Sequence, residues 1–99
     1  MNDPINTFIT FASEKLANHI LDLSTQHPIN SLSIEYLNEA YKDRREKFSQ
    51  ELNDKIASLE IPGSPWIEAR LRLMKEEYEA KLCVRENELL INQKIREYL

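Results

Sequence analysis

A chain of 99 residues and 11.7 kDa holds one modest hydrophobic core, and its 41% hydrophobic and 30% charged residues match a folded soluble domain rather than a disordered or membrane chain. A single glycine, Gly63, is too few for the hairpins of a many-stranded β fold or the phosphate-cradling loops of Rossmann and P-loop sites, and a single cysteine, Cys83, excludes an internal disulfide. The net charge of −4 divides as 1 basic and 3 acidic groups in residues 1–28, 5 and 7 in 29–63, and 7 and 7 in 64–99, so no third of the chain carries the basic excess that non-specific nucleic-acid binding needs.

The first predicted helix opens at Asp3, an N-cap residue type, with Pro4 at the first helical position, where its missing N–H costs nothing. Ile5, Ile9, Ala12, Leu16, Ile20 and Leu23 then recur at spacings of three and four, and Phe8 and Phe11 widen the stripe. The run Ser24-Thr25-Gln26-His27-Pro28 ends it near residue 24, because the residue before a proline is pushed out of the α region. The second helix is expected from Ser31 or Ser33 to about residue 60. Its stripe reads Ile34, Leu37, Tyr41, Phe48, Leu52, Ile56 and Leu59, with one step missing at Arg44, inside the charged run 42–47. Asp43 with Lys47, and Glu51 with Lys55, are favourable acid-before-base pairs one turn apart. Residues 61–65, Ile-Pro-Gly-Ser-Pro, then break the chain with the chemistry of a type II turn.

Ser64 is a natural N-cap for the third helix, Pro65 takes its first position, and no glycine or proline follows to residue 99. A continuous helix over 65–99 is about 52 Å long, more than a globule of this size is wide. Its apolar residues form two lines. Ile67, Leu71, Met74, Tyr78 and Leu82 make one; Leu73, Ala80, Val84, Ile91, Ile95 and Tyr98 make the other. Either the helix bends near Arg85-Glu86-Asn87, or its C-terminal part projects and packs on something else; a central helix touched by two neighbours would also need two lines. The fold class is all-α: a three-helix bundle, or a helical hairpin with a long C-terminal helix, over about 3–24, 31–60 and 65–99, in one domain over 1–99.

Catalytic chemistry finds little to work with. His19, His27 and Cys83 do not fill a zinc site, and the Glu-x-x-His pairs of a di-iron bundle are missing. His19, one turn before Asp22, reads as a satisfied or solvent-facing side chain, and Cys83, between Leu82 and Val84, as a buried inert thiol. No serine sits in a Gly-x-Ser-x-Gly elbow, and seventeen carboxylates on amphipathic helices read as solvated faces. No catalytic residue, metal or cofactor is assigned, and a non-enzymatic role is expected. A helix-turn-helix joins its helices by a three- or four-residue turn, often with glycine; the first connection here is too long and lacks glycine, and the second has Gly63 but two prolines beside it.

The candidate contact residues are of three kinds. Trp66 follows a turn stiffened by Pro62 and Pro65, and tryptophan is the residue type most enriched at binding hot spots; the other reading is a Trp66 that caps the core where the second and third helices meet. The two X-Pro bonds also make 61–65 a candidate substrate of a prolyl isomerase. Arg44 and Arg45 offer an arginine patch for an acidic partner or phosphate, or else a solvated face whose long stems cover apolar surface. Ile91, Ile95 and Tyr98 offer a surface for homo-oligomerisation through the C-terminal helix.

The expected function is therefore a small protein-binding module, an adaptor, chaperone or inhibitor, whose partner is another protein. Compact, acidic chains without catalytic motifs are common among bacteriophage and mobile-element accessory proteins that modulate a host enzyme complex, and that setting is the expectation by type. The alternative is a nucleic-acid-associated regulator using the basic cluster 42–47. No apolar run approaches the roughly 20 residues of a membrane span, and Met1-Asn2-Asp3-Pro4 lacks the positive region of a signal peptide, so a cytoplasmic protein is expected.

Overall fold

The N-terminus of the first helix is capped as its sequence dictates. In a computed structural model that describes residues 3–26, 34–59 and 65–98, the Ile5 amide donates to Asp3 Oδ1 at 2.9 Å. The Thr7 amide and hydroxyl both donate to the Asp3 carbonyl at 3.0 Å. Two donors of the first turn, the Ile5 and Thr7 amides, are thereby met, and Pro4 contributes none. Helix α1 (Pro4–Gln26) runs two residues past its predicted end, followed by α2 (Ile34–Ser58) and α3 (Pro65–Tyr98). At the end of α2 the ladder tightens: Leu59 N–H donates to the Ile56 carbonyl at 3.2 Å and the Ser58 hydroxyl to that of Lys55 at 2.8 Å. Pro62, Gly63 and Ser64 lie outside the described residues, and with them the predicted turn and the prolyl-isomerase site.

Each helix packs against both others, so the architecture is a three-helix bundle rather than a hairpin with an appendage. Lys15 and His19 reach Glu51, whereas Asp22, later in α1, reaches Arg44, earlier in α2; the two helices are antiparallel. Seven residue steps from Ser58 to Pro65 span at most about 25 Å, less than the length of α2, so α3 must start beside the end of α2 and run back along it.

The core takes Phe8, Ala12 and Leu23 from α1, Leu37, Tyr41, Phe48, Leu52 and Ile56 from α2, and Leu71, Leu82 and Leu89 from α3. Ile9, predicted on the buried stripe, is exposed instead. The inward line of α1 passes through Phe8, Ala12, His19 and Leu23, with Phe8 meeting the edge of Tyr78 at a centroid distance of 6.2 Å. Helix α3 is unbroken through residues 85–87. Its C-terminal half does not project free, because Glu86, Leu89 and Gln93 continue the core line beyond Leu82. The result is a body of 56 × 20 × 16 Å whose radius of gyration, 16.1 Å, exceeds the ~13 Å of a compact 100-residue domain.

Candidate protein-docking surface

An α-helix advances 100° per residue, so sequence spacing fixes which side chains of α3 share a face. Trp66, Leu73, Val84, Ile91, Ile95 and Tyr98 fall within about 60° of one another, and the core line through Leu71, Leu82, Glu86, Leu89 and Gln93 lies on the opposite side. All six are exposed, from 54% for Ile95 to 92% for Tyr98, and they account for six of the nine exposed large hydrophobics among the described residues. Trp66, at 65% exposure, does not cap the core. It joins the outward line at its N-terminal end, beside the exposed Pro65.

The basic cluster is divided by the bundle. Arg44 occupies the step missing from the apolar stripe of α2 and turns inward, its side chain only 12% exposed, with Nη1 3.3 Å from Asp22 Oδ2 and 3.1 Å from His19 Nδ1. On the other edge of the imidazole, His19 Nε2 lies 2.7 Å from Glu51 Oε1, and Lys15 Nζ is 3.3 Å from Glu51 Oε2. One tautomer satisfies this chain: Nε2–H donates to the Glu51 carboxylate, and Nδ1 accepts from Arg44. Burial acts to raise the Glu51 carboxyl, but hydrogen bonds from His19 and Lys15, with the Lys15 charge, outweigh it and hold its pKa below the usual value. His19 is thus a satisfied interior side chain, stacked edge-on against Phe48 at 5.2 Å.

Arg45 faces α3 instead. Its Nε lies 3.7 Å from Glu86 Oε2 and its Nη1 donates to Cys83 Sγ at 3.9 Å. The two arginines expected to act together therefore do not share a face. Arg45, Phe48, Glu79, Leu82 and Cys83 line a shallow groove of about 390 Å³ between α2 and α3, and Cys83 is half-buried on its wall rather than sealed in the core.

Glu86 is the residue the sequence reading missed. It is 1% exposed, neither carboxyl oxygen accepts a hydrogen bond, and burial pushes its pKa up to about 7 against the opposing charges of Arg45 and Arg44. Burial, together with the Glu86 charge, also raises the pKa of the neighbouring Tyr41 phenol, against Arg44 and Arg85. The available signal was spacing: Glu86 falls four residues after Leu82 and three before Leu89, on the inward line. Among the described residues no three His, Cys, Asp or Glu side chains gather as a metal would require, and no helix is long and apolar enough to cross a membrane.

No family model matches the chain, and neither a curated protein nor a solved structure matches it. Surface chemistry alone carries the functional reading.

Proposed function

We propose that the protein is a non-enzymatic protein-binding module that docks through the outward face of α3. The observation that carries this is the alignment of six large apolar side chains along the whole 34-residue helix, on the side turned away from the core. Together they expose large apolar side chains at both ends and in the middle of the helix. Trp66 and Tyr98 stand at the two ends as rigid aromatic anchors, with Ile91 and Ile95 beside Tyr98 and Pro65 beside Trp66. Helices α1 and α2 hold the opposite side of α3, so the docking face is pre-ordered and little conformational entropy is lost on binding. That is the work of an adaptor, chaperone or inhibitor, such as a cytoplasmic accessory protein acting on a host enzyme complex.

The nucleic-acid alternative receives less support. With Arg44 turned inward, the exposed basic residues of 42–47 are Lys42, Arg45 and Lys47, interrupted by Asp43 and Glu46.

The test compares proteins captured from host lysate by the wild type and by Val84→Arg, with far-UV circular dichroism as the folding control. Both chains should be equally helical, since Val84 is exposed. Specific partners should fall at least about tenfold in the variant, as for a hot-spot change. Undiminished capture by a folded Val84→Arg protein overturns the reading.

A further inference from the structure

We infer that Arg45 and Glu86 form a proton-operated latch across the seam between α2 and α3. Loss of the Glu86 proton to solvent draws the Arg45 guanidinium off the Cys83 thiol and into a charge-assisted hydrogen bond with the carboxylate, which uncovers the groove wall at Cys83.

Three features of the seam carry this. The first is an interior carboxyl without a donor. Glu86 is 1% exposed, and neither of its oxygens accepts a hydrogen bond. Arg45 Nε stands 3.7 Å from Glu86 Oε2, beyond hydrogen-bond reach. That arrangement suits a neutral acid, because a buried carboxylate needs hydrogen bonds as well as a nearby charge.

The second is a guanidinium held loosely between two groups. Arg45 keeps 44% of its side chain exposed, and its Nη1 meets Cys83 Sγ at 3.9 Å, a long contact to a weak acceptor. Arg45 and Cys83 both line the groove of about 390 Å³, which leaves the arginine room to turn. A shift of roughly 1 Å toward Glu86 converts the approach of Nε into a charge-assisted hydrogen bond. The same turn lengthens the contact to sulfur, which is already at its limit.

The third is that the neighbouring charges are engaged elsewhere. From α1, Asp22 and His19 hold Arg44, and Lys15 reaches Glu51. On α3, Arg85 donates to Glu88 at 3.0 Å. The Tyr41 phenol, on α2, also feels the Glu86 charge. Arg45 is therefore the cation that can turn to an ionised Glu86. Burial pushes the Glu86 pKa up to about 7, so the acid is neutral below that pH and charged above it. Arg45 lies on the thiol in mild acid and on the carboxylate in mild base.

Nuclear magnetic resonance of the full chain between about pH 5.5 and 8.5, a range that brackets the titration, is the test. The side-chain carboxyl carbon of Glu86 should titrate, and the Arg45 Nε–H proton should move downfield with the same midpoint. A neutral soluble nitroxide should broaden the Cys83 β-protons more strongly above that midpoint than below it. Glu86→Gln, with far-UV circular dichroism as the folding control, should hold the Arg45 signal fixed at every pH, and Tyr41→Phe should keep the transition. In urea, Arg45→Gln should raise the unfolding equilibrium constant about tenfold at pH 8, and leave it unchanged at pH 6 or in the Glu86→Gln background. The wild-type titration decides even where a variant fails to fold. A Glu86 carboxyl that does not titrate in this range, or an Arg45 proton that stays fixed while it does, overturns the latch. A transition lost in a folded Tyr41→Phe gives the hydrogen bond to the phenol and overturns it too. Equal broadening of Cys83 on both sides of the midpoint overturns the uncovering of the groove.

Discussion

Glu86 is a carboxylic acid on a core line, and its energetics run opposite to those of most surface carboxylates. Its folded pKa, about 7, lies above the ordinary 4.5, so the folded state holds the proton more tightly than the unfolded chain. The contribution to stability is present below about pH 4.5 and is lost as pH rises to about 7. Glu51 has the opposite sign, since its lowered pKa contributes stability that is lost when acid protonates it. Glu86→Gln should therefore be more stable than the wild type at pH 8, by about 3 kcal/mol at most, and equal to it near pH 4. Urea unfolding at the two pH values measures this; a variant less stable at pH 8 would show that the Arg45 charge outweighs burial. Arg44 makes a second residue-scale prediction. Removing it leaves Asp22 and His19 without a buried donor, so Arg44→Ala should lose about 2–4 kcal/mol, while the exposed Lys42→Ala should stay within about 0.5 kcal/mol. Equal losses would return Arg44 to the solvated face.

At the scale of elements, α3 is a helix with two apolar sides that do different things. The side through Leu71, Leu82 and Leu89 is buried against α1 and α2, and the side through Leu73, Val84 and Ile91 meets solvent. Deleting side chains separates them. Leu82→Ala should cost about 2–5 kcal/mol because it opens a cavity, whereas Leu73→Ala should change stability by about 0.5 kcal/mol or less. Denaturant midpoints for the pair decide it, and similar midpoints would mean that both sides are core. Both lines were legible from residue spacing, because 100° per residue is a local property of the backbone. Which line the bundle would cover was not legible, since Leu73 and Leu71 are the same residue type. Nor was the extension of the core line past Leu82, because Glu86 and Gln93 read as surface residues when judged by type. The missing step at Arg44 was visible in the sequence, but a gap in an apolar stripe does not say whether the side chain fills it or avoids it.

At the scale of the whole molecule, elongation and the unpartnered face have one origin. Helices of 23 and 25 residues are laid against one of 34, so the long helix always keeps one side beyond the reach of its neighbours. A 56 Å body only 16–20 Å across has little interior relative to surface, which is why polar side chains such as Glu86, Gln93 and His19 occupy positions a thicker core would fill with apolar ones.

The single glycine and the mixed charge excluded β architecture and a broadly basic surface, and the N-cap at Asp3, the start of α3 at Pro65 and the three apolar periodicities follow from local backbone preference. Those the sequence determined by itself, because capping, proline geometry and helical period act over a few residues. The inward turn of Arg44, the burial of Glu86, the separation of Arg44 from Arg45 and the exposure of Trp66 were decided only by tertiary structure. Each depends on which side of one helix another helix covers, and that is a contest among long-range packings that no short stretch of sequence contains.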